Sequence, residues 1–148
     1  MTSGFWTAIV VVIAAGGAAA LQAPVNATLG RVMESTLAAA AVSFGIGFLM
    51  LFAVSMLSGN AAAFGRLHAI TSWHLLGGVL GAFYVWSMLW GVPTLGVVTA
   101  IAALILGQMV VALVIDTGGY FGLPQIELSA TRIGAVVLVS AGLVLSRM

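Results

Sequence analysis

The sequence has no cysteine, so it holds no disulfide, no thiolate nucleophile and no soft metal site, and it carries no signal of redox compartment. Lysine is absent as well. The only charged residues are Arg31, Arg66, Arg132, Arg147, Glu34, Asp116 and Glu127. Charge at 5% of residues, against about 25% in a soluble domain, excludes an ordinary water-soluble fold. So sparse a set cannot build a basic groove or an acidic-substrate cleft, and no nucleic-acid partner is expected. The two histidines, His68 and His74, do not share a helix face, which argues against a metal or haem pair within one helix. No metal and no cofactor is expected.

What fills the chain instead is apolar length, with 63% of its 148 residues hydrophobic. The stretch from Ser72 to Asp116 reads as two membrane-spanning helices joined by a turn at Gly91–Pro93, because about 20 apolar residues cross ~30 Å of hydrocarbon. Similar runs before and after it predict five transmembrane helices, at about 4–29, 35–57, 72–90, 94–116 and 130–147. The fold class expected is therefore an all-α integral membrane protein with a single membrane domain over 1–148. The first twenty residues could pass for a signal peptide, but MTSGFWT has no Lys or Arg, and the segment is read as a retained first span with Phe5 and Trp6 as interfacial anchors.

Small residues recur at helical spacing. His74, Gly77, Gly78 and Gly81 fall on one face of the third predicted helix, and Ser43 with Gly47 form a pair on the second. In the fourth, Gly96, Ala100, Ala103 and Gly107 make a stripe, with Gln108, Ala112 and Asp116 turned about a quarter circle away. Gly134, Ala141 and Gly142 give the last helix a close-packing face suited to a dimer contact. Membrane helices associate through such faces, because lipid is as apolar as leucine and van der Waals contact must hold them together. His74 reads either as an ionisable ring turned toward neighbouring helices or as a neutral interfacial histidine bonded to a loop carbonyl.

The first helix carries Gln22 and Asn26 four residues apart, so both point to one side, and Pro24 between them frees the carbonyl of Ala20. Two readings stand. The proline kinks or ends the helix and the amides tie helices together, at about 0.6–2 kcal/mol each, or the amides and the carbonyl form a ligand site. Asn26-Ala27-Thr28 matches a glycosylation sequon, but its place at membrane depth makes that reading poor. Glu34 is expected in the first turn of the second helix, paired with Arg31. Asp116 ends the fourth span, where the helix dipole disfavours a carboxylate by about 0.3–1 kcal/mol, so a compensating cation such as Arg132 is expected. The segment Ser58–Thr71 reads as a connection without chemistry, Gly118 and Gly119 as a helix stop, and Ser129 or Thr131 as a cap.

With five spans the arginines tie: Arg31 and Arg147 on one side, Arg66 and Arg132 on the other. Such a chain has almost no orientation signal and can pair with its own inverted copy, producing in two chains the inverted repeat of many transporters.

LQAPVNATLGRV from Leu21, WHLLGGVLGAFYV from Trp73, GVPTLGVV from Gly91, LILGQMVVALVID from Leu104 and GLPQIELSATRIGAVVLVSAGLVL near the end together resemble the five-helix YdcZ-like family of the drug/metabolite transporter superfamily. GAVVLVSAGLVL from Gly134 also resembles the dimerising last helix of the related small multidrug resistance proteins. The resemblance implies a small-molecule transporter of the bacterial inner membrane working as an antiparallel homodimer. Those relatives carry a coupling acid in the first helix, whereas this sequence has Gln22 there and no acid before Glu34.

The expected function is thus a secondary transporter or exchanger of a small metabolite or drug-like molecule, in contact with lipid and with a second copy of itself. Gln22, Asn26 and the Ala20 carbonyl would bind substrate, His74 and Gln108 would extend the polar lining, and Trp73 or Tyr84 would supply an aromatic wall. Proton coupling would have to use His74, Asp116 or Glu34. The rival reading is a non-transporting structural or accessory subunit. Catalysis is not expected, since no nucleophile and base stand at workable spacing.

Overall fold

A computed structural model describes the chain from Ser3 to Met148 and is helical throughout its ordered elements. Five α-helices follow in order: α1 Ser3–Val32, α2 Thr36–Leu57, α3 Leu76–Leu95, α4 Val97–Gly118 and α5 Ala130–Leu145. Two compact units divide the chain, the first ending at Pro93 and the second running Thr94–Met148.

In the first unit, α1 keeps Pro24 inside it and runs on to Val32. It ends in a Schellman motif: the Ser35 N–H donates to the Gly30 carbonyl at 3.1 Å and the Glu34 N–H to the Arg31 carbonyl at 3.2 Å. That motif needs a left-handed residue, and Glu34 takes it at φ 51°. Ser35 then caps α2, its hydroxyl accepting the Ala38 N–H at 3.1 Å. Glu34 therefore lies between the two helices and not in the first turn of α2, a correction to the sequence reading. Arg31 does not pair with it either; the guanidinium donates to the Thr28 hydroxyl at 2.9 Å, and that hydroxyl donates to the Pro24 carbonyl at 3.0 Å.

This tight hairpin lays α1 against α2, with small side chains at the contact. Ala23, Ala27 and Gly30 of α1 are buried, as are Ala39 and Ala40 of α2. Val85 and Leu89 of α3 complete a core with Ala39 and Ala40, against which Leu29 and Tyr84 pack. The remaining surface is mostly large apolar side chains, as lipid-facing helices require.

The connection between α2 and α3 is not featureless: Asn60–Ala69 and Ser72–Leu75 form 3-10 helices. The first is held to α2 by an edge-on contact of Phe64 with Phe52, 5.4 Å between centroids. At its other end α3 passes through Gly91–Pro93, where the sequence predicted a turn, and stops at Leu95. The break falls at Gly96, whose φ of 79° and ψ of 160° suit glycine alone. Pro93 removes one hydrogen bond without reversing the chain.

In the second unit α4 and α5 are antiparallel and fastened at both ends. Near one end the Ser146 hydroxyl donates to Thr99 Oγ1 at 3.2 Å. At the other, Arg132 Nη2 pairs with Asp116 Oδ2. Gly119 in the left-handed region (φ 60°) closes α4, and a Cβ at Gly118 would overlap the Tyr120 ring. The Ile126 N–H returns to the Asp116 carbonyl at 2.8 Å, and Ser129 caps α5.

Among the described residues four helices are long and apolar enough to cross a membrane: Gly4–Val32, Thr36–Leu57, Ser72–Leu95 and Val97–Gly118. The fifth predicted span is shorter than expected, since α5 has 16 residues, about 24 Å of helix against ~30 Å of hydrocarbon.

Candidate functional site

A cavity of about 350 Å³ opens in the first unit, lined by Gln22 of α1, Ser43, Phe44, Gly47, Phe48 and Leu51 of α2, and Val85 of α3. Its shape follows from the sequence of α2. Gly47 places no side chain in the space, and a Cβ built there meets nothing within 4 Å. Phe44 and Phe48, one turn apart, stand as aromatic walls beside Ser43 and Gly47. The Phe44 ring rests on the other side against Gly81 of α3, whose added Cβ would be 3.5 Å from it. Phe48 is stacked on Phe52 at 5.9 Å, which limits its movement. Among the described residues the polar side chains lining it are Gln22 and Ser43, and none of the lining side chains is charged. The arrangement suits a small, mostly apolar molecule held by one or two hydrogen bonds.

Of the residues singled out in the sequence, Gln22 reaches this cavity. Asn26 lies one turn further along the same side of α1, buried to 6% exposure, and Ala20 is half-buried one turn before Pro24. Tyr84 packs on the Ala39–Leu89 core next to Val85. Trp73 and His74 lie elsewhere. They are exposed in the 3-10 turn before α3 and stacked on each other at 3.9 Å. His74 Nδ1 takes the Thr71 N–H at 3.1 Å, closing a capping box, so its ring is not on the glycine face of α3. Gln108, Asp116, Arg132, Gly134, Ala141 and Gly142 belong to the second unit. A Cβ at Gly134 or Gly142 would meet nothing within 4 Å. Among the described residues no three His, Asp or Glu side chains come together.

The sequence reading missed Phe44, Phe48, Leu51 and Val85. A signal existed on α2: an aromatic pair at four-residue spacing beside the small pair Ser43 and Gly47 marks a concave, ring-walled face. It is hard to see among so many apolar residues, because any of them could equally face lipid.

A model of the family described as "Putative inner membrane exporter, YdcZ" matches residues 7–145. The chain belongs to the YdcZ family. Inner membrane protein YdcZ of Escherichia coli (strain K12) is 26% identical over 136 residues, covering 91% of each chain. No solved structure matches. The YdcZ match takes in every cavity-lining residue and all of α2 to α5. With several helices of spanning length, this YdcZ-family chain is a multi-pass protein of the inner membrane.

The Asp116–Arg132 pair shows what charge does in such a chain. Each member opposes its own helix dipole, the acid in the last turn of α4 and the base in the first turn of α5, and each would be disfavoured alone. Paired, they offset one another. Arg132 Nη1, however, is buried with no partner among the described residues, and the Arg132 side chain borders a small apolar slot with Met109, Ala112, Leu113 and Ala135.

Proposed function

We propose that the chain is a small-molecule transporter whose substrate binds in the Gln22 cavity, and that a second, inverted copy closes the open side and rocks against the first to give alternating access. The observation that carries this reading is the cavity itself: two polar side chains and two phenylalanines around a glycine gap, in a chain of a family described as exporters. A helix face used only for assembly has no need of such a space. The substrate is recognised by shape and hydrogen bonds, and the two fixed charges at the α4–α5 end act in stability.

The test compares Gln22→Leu with Asp116→Asn in proteoliposomes, using a substrate found by thermal-shift screening of the purified protein. Leucine deletes both donor and acceptor and leaves a polar substrate group unpaired, at about 1–3 kcal/mol, which is roughly ten- to hundredfold in affinity. Transport falls accordingly while the melting temperature holds. Asp116→Asn does the reverse: it strands the Arg132 guanidinium, lowers stability by about 1–2 kcal/mol for a pair that is partly exposed, and leaves transport of the surviving protein near normal. Normal transport by Gln22→Leu with loss in Asp116→Asn places the site at the helix ends. Normal transport by both removes the Gln22 cavity from the substrate path, and no transport by the wild-type chain favours the accessory-subunit reading.

The inverted pair, with α5 as a short fifth span, has its own measurement. A C-terminal reporter is expected on both sides of the membrane in the same cells, and removing a single arginine, as in Arg147→Ser, should bias it. One clean orientation rules out self-pairing of inverted copies.

A further inference from the structure

We infer that Asn26 is the inner anchor of the ligand in the Gln22 cavity, and that the ligand is an uncharged molecule with an aromatic body and a carboxamide-like head bearing both donor and acceptor. The inference rests on the reading of that cavity as a substrate site.

Asn26 is 6% exposed, yet its amide makes no hydrogen bond to any described residue. A buried amide with two donors and an acceptor ordinarily has partners. Its neighbours on the buried strip of α1 are Ala23, Ala27 and Gly30, whose side chains offer none. The amide is also not sealed in: among the described residues the side-chain polar atom that is both unpartnered and without surface is Arg132 Nη1. The small surface Asn26 retains therefore reaches its polar atoms. Helices that merely need tying together through an asparagine would bond it; here the bond is left open.

Position completes the argument. Gln22, Asn26 and Gly30 follow at four-residue steps along one side of α1. Asn26 does not itself line the cavity; Gln22 and Val85 both do, and a Cβ on Gly30 would come 3.8 Å from Leu89, so Asn26 sits one turn past Gln22, between these two levels of α3. It is about 6 Å along the axis from Gln22, within the length of one fused aromatic ring system carrying a polar head. The ring body fits between Phe44 and Phe48, which favour offset or edge-on aromatic partners. The head then satisfies Asn26, and Gln22 with Ser43 hold the outer edge. The lining favours an uncharged ligand: among the described residues no ionic side chain lines the space to neutralise a charge, and Arg31, the nearest cation along α1, is engaged by Thr28.

The experiment uses full-length protein in mild detergent with 2-naphthamide and its headless counterpart 2-methylnaphthalene as probes. Asn26→Val is the informative variant, because valine matches asparagine in helix propensity and is close to it in bulk. An unpartnered buried amide is a cost to the empty protein, so its removal is expected to raise the melting temperature by a few degrees, roughly 3–8 °C. The same change is expected to weaken 2-naphthamide binding tenfold or more and leave 2-methylnaphthalene binding unchanged. A merely structural amide gives the opposite sign: a lower melting temperature, or unchanged 2-naphthamide affinity, overturns the proposal. If the valine variant does not fold, Asn26→Ala is read by the same selective loss of the amide probe. Binding of neither probe by the wild-type protein refutes the cavity reading itself, whereas binding that depends on Gln22 but not on Asn26 refutes this inference alone.

Discussion

Gly47→Leu is expected to reduce transport to background while making the protein slightly more stable. The two effects have separate causes. Gly47 is the residue that creates the cavity, since it sits between Ser43 and Leu51 on the lining face of α2 and leaves the space in front of it open. A leucine projects four carbons into that space, opposite Gln22 and between the rings of Phe44 and Phe48. A ligand of the cavity's size then has to displace packed side chains, which costs about 1–3 kcal/mol, and it loses contact area at the same time. Together these exceed the two orders of magnitude that ~2.8 kcal/mol represents. Stability moves the other way, because glycine within a helix is about 0.8–1 kcal/mol worse than the best formers and leucine is among those. A Cβ at position 47 meets no atom within 4 Å. Substrate uptake in proteoliposomes and thermal melting, on the same preparation, check the pair of outcomes. Wild-type uptake by Gly47→Leu would remove the cavity from the mechanism.

The largest effect on stability is expected at Leu89. It is 1% exposed and joins the three helices of the first unit, sharing one core cluster with Ala39, Ala40 and Val85 and lying beside Gly30. In a water-soluble core, Leu→Ala costs about 2.7–5 kcal/mol, part of it lost transfer from water and part the cavity left behind. For a chain whose unfolded helices remain in lipid the transfer part largely vanishes, since hydrocarbon is as apolar as the core. The cavity part remains, and about 2–3 kcal/mol is expected. A substitution at the lipid-facing Leu80 is the control, because it removes the same atoms without opening a void and should cost well under 1 kcal/mol. The measurement is reversible unfolding in mixed detergent or steric trapping in bicelles. Equal losses at Leu89 and Leu80 would mean that packing at the α1–α2–α3 junction does not hold this unit together.

Spans were legible because hydrocarbon imposes a length and a composition that sequence displays directly, and charge-poor runs of twenty residues admit few other structures. Their ends were less so. Sequence placed a turn at Gly91–Pro93, since proline disfavours helix, yet a helix can lose one hydrogen bond where packing supports it, and Val92 is buried while the chain still coils. Gly96 ends α3 instead, because its backbone angles exclude a side chain. Glu34 shows the converse. A carboxylate after Arg31 looks like the start of a helix, but the hairpin between α1 and α2 needs one left-handed residue, and position 34 is where it falls. His74 was drawn to a glycine face by helical spacing, and a 3-10 turn, with three residues per turn, rotates it elsewhere.

By itself the sequence determined the class of solvent, the helical content, the shared side of Gln22 and Asn26, and the need of Asp116 for a cation. These follow from local periodicity and from the cost of charge and bare backbone in lipid, and neither depends on which helices become neighbours. The tertiary structure decided which side of α2 turns toward α1, and therefore that Phe44, Gly47 and Phe48 enclose space with Gln22. It decided too that Asn26 is covered without a partner and that Arg31 bonds Thr28 rather than Glu34. In a chain so uniformly apolar, every face of a helix satisfies lipid about equally well. Only close packing of small against large side chains selects one, and that selection is a property of neighbouring helices together.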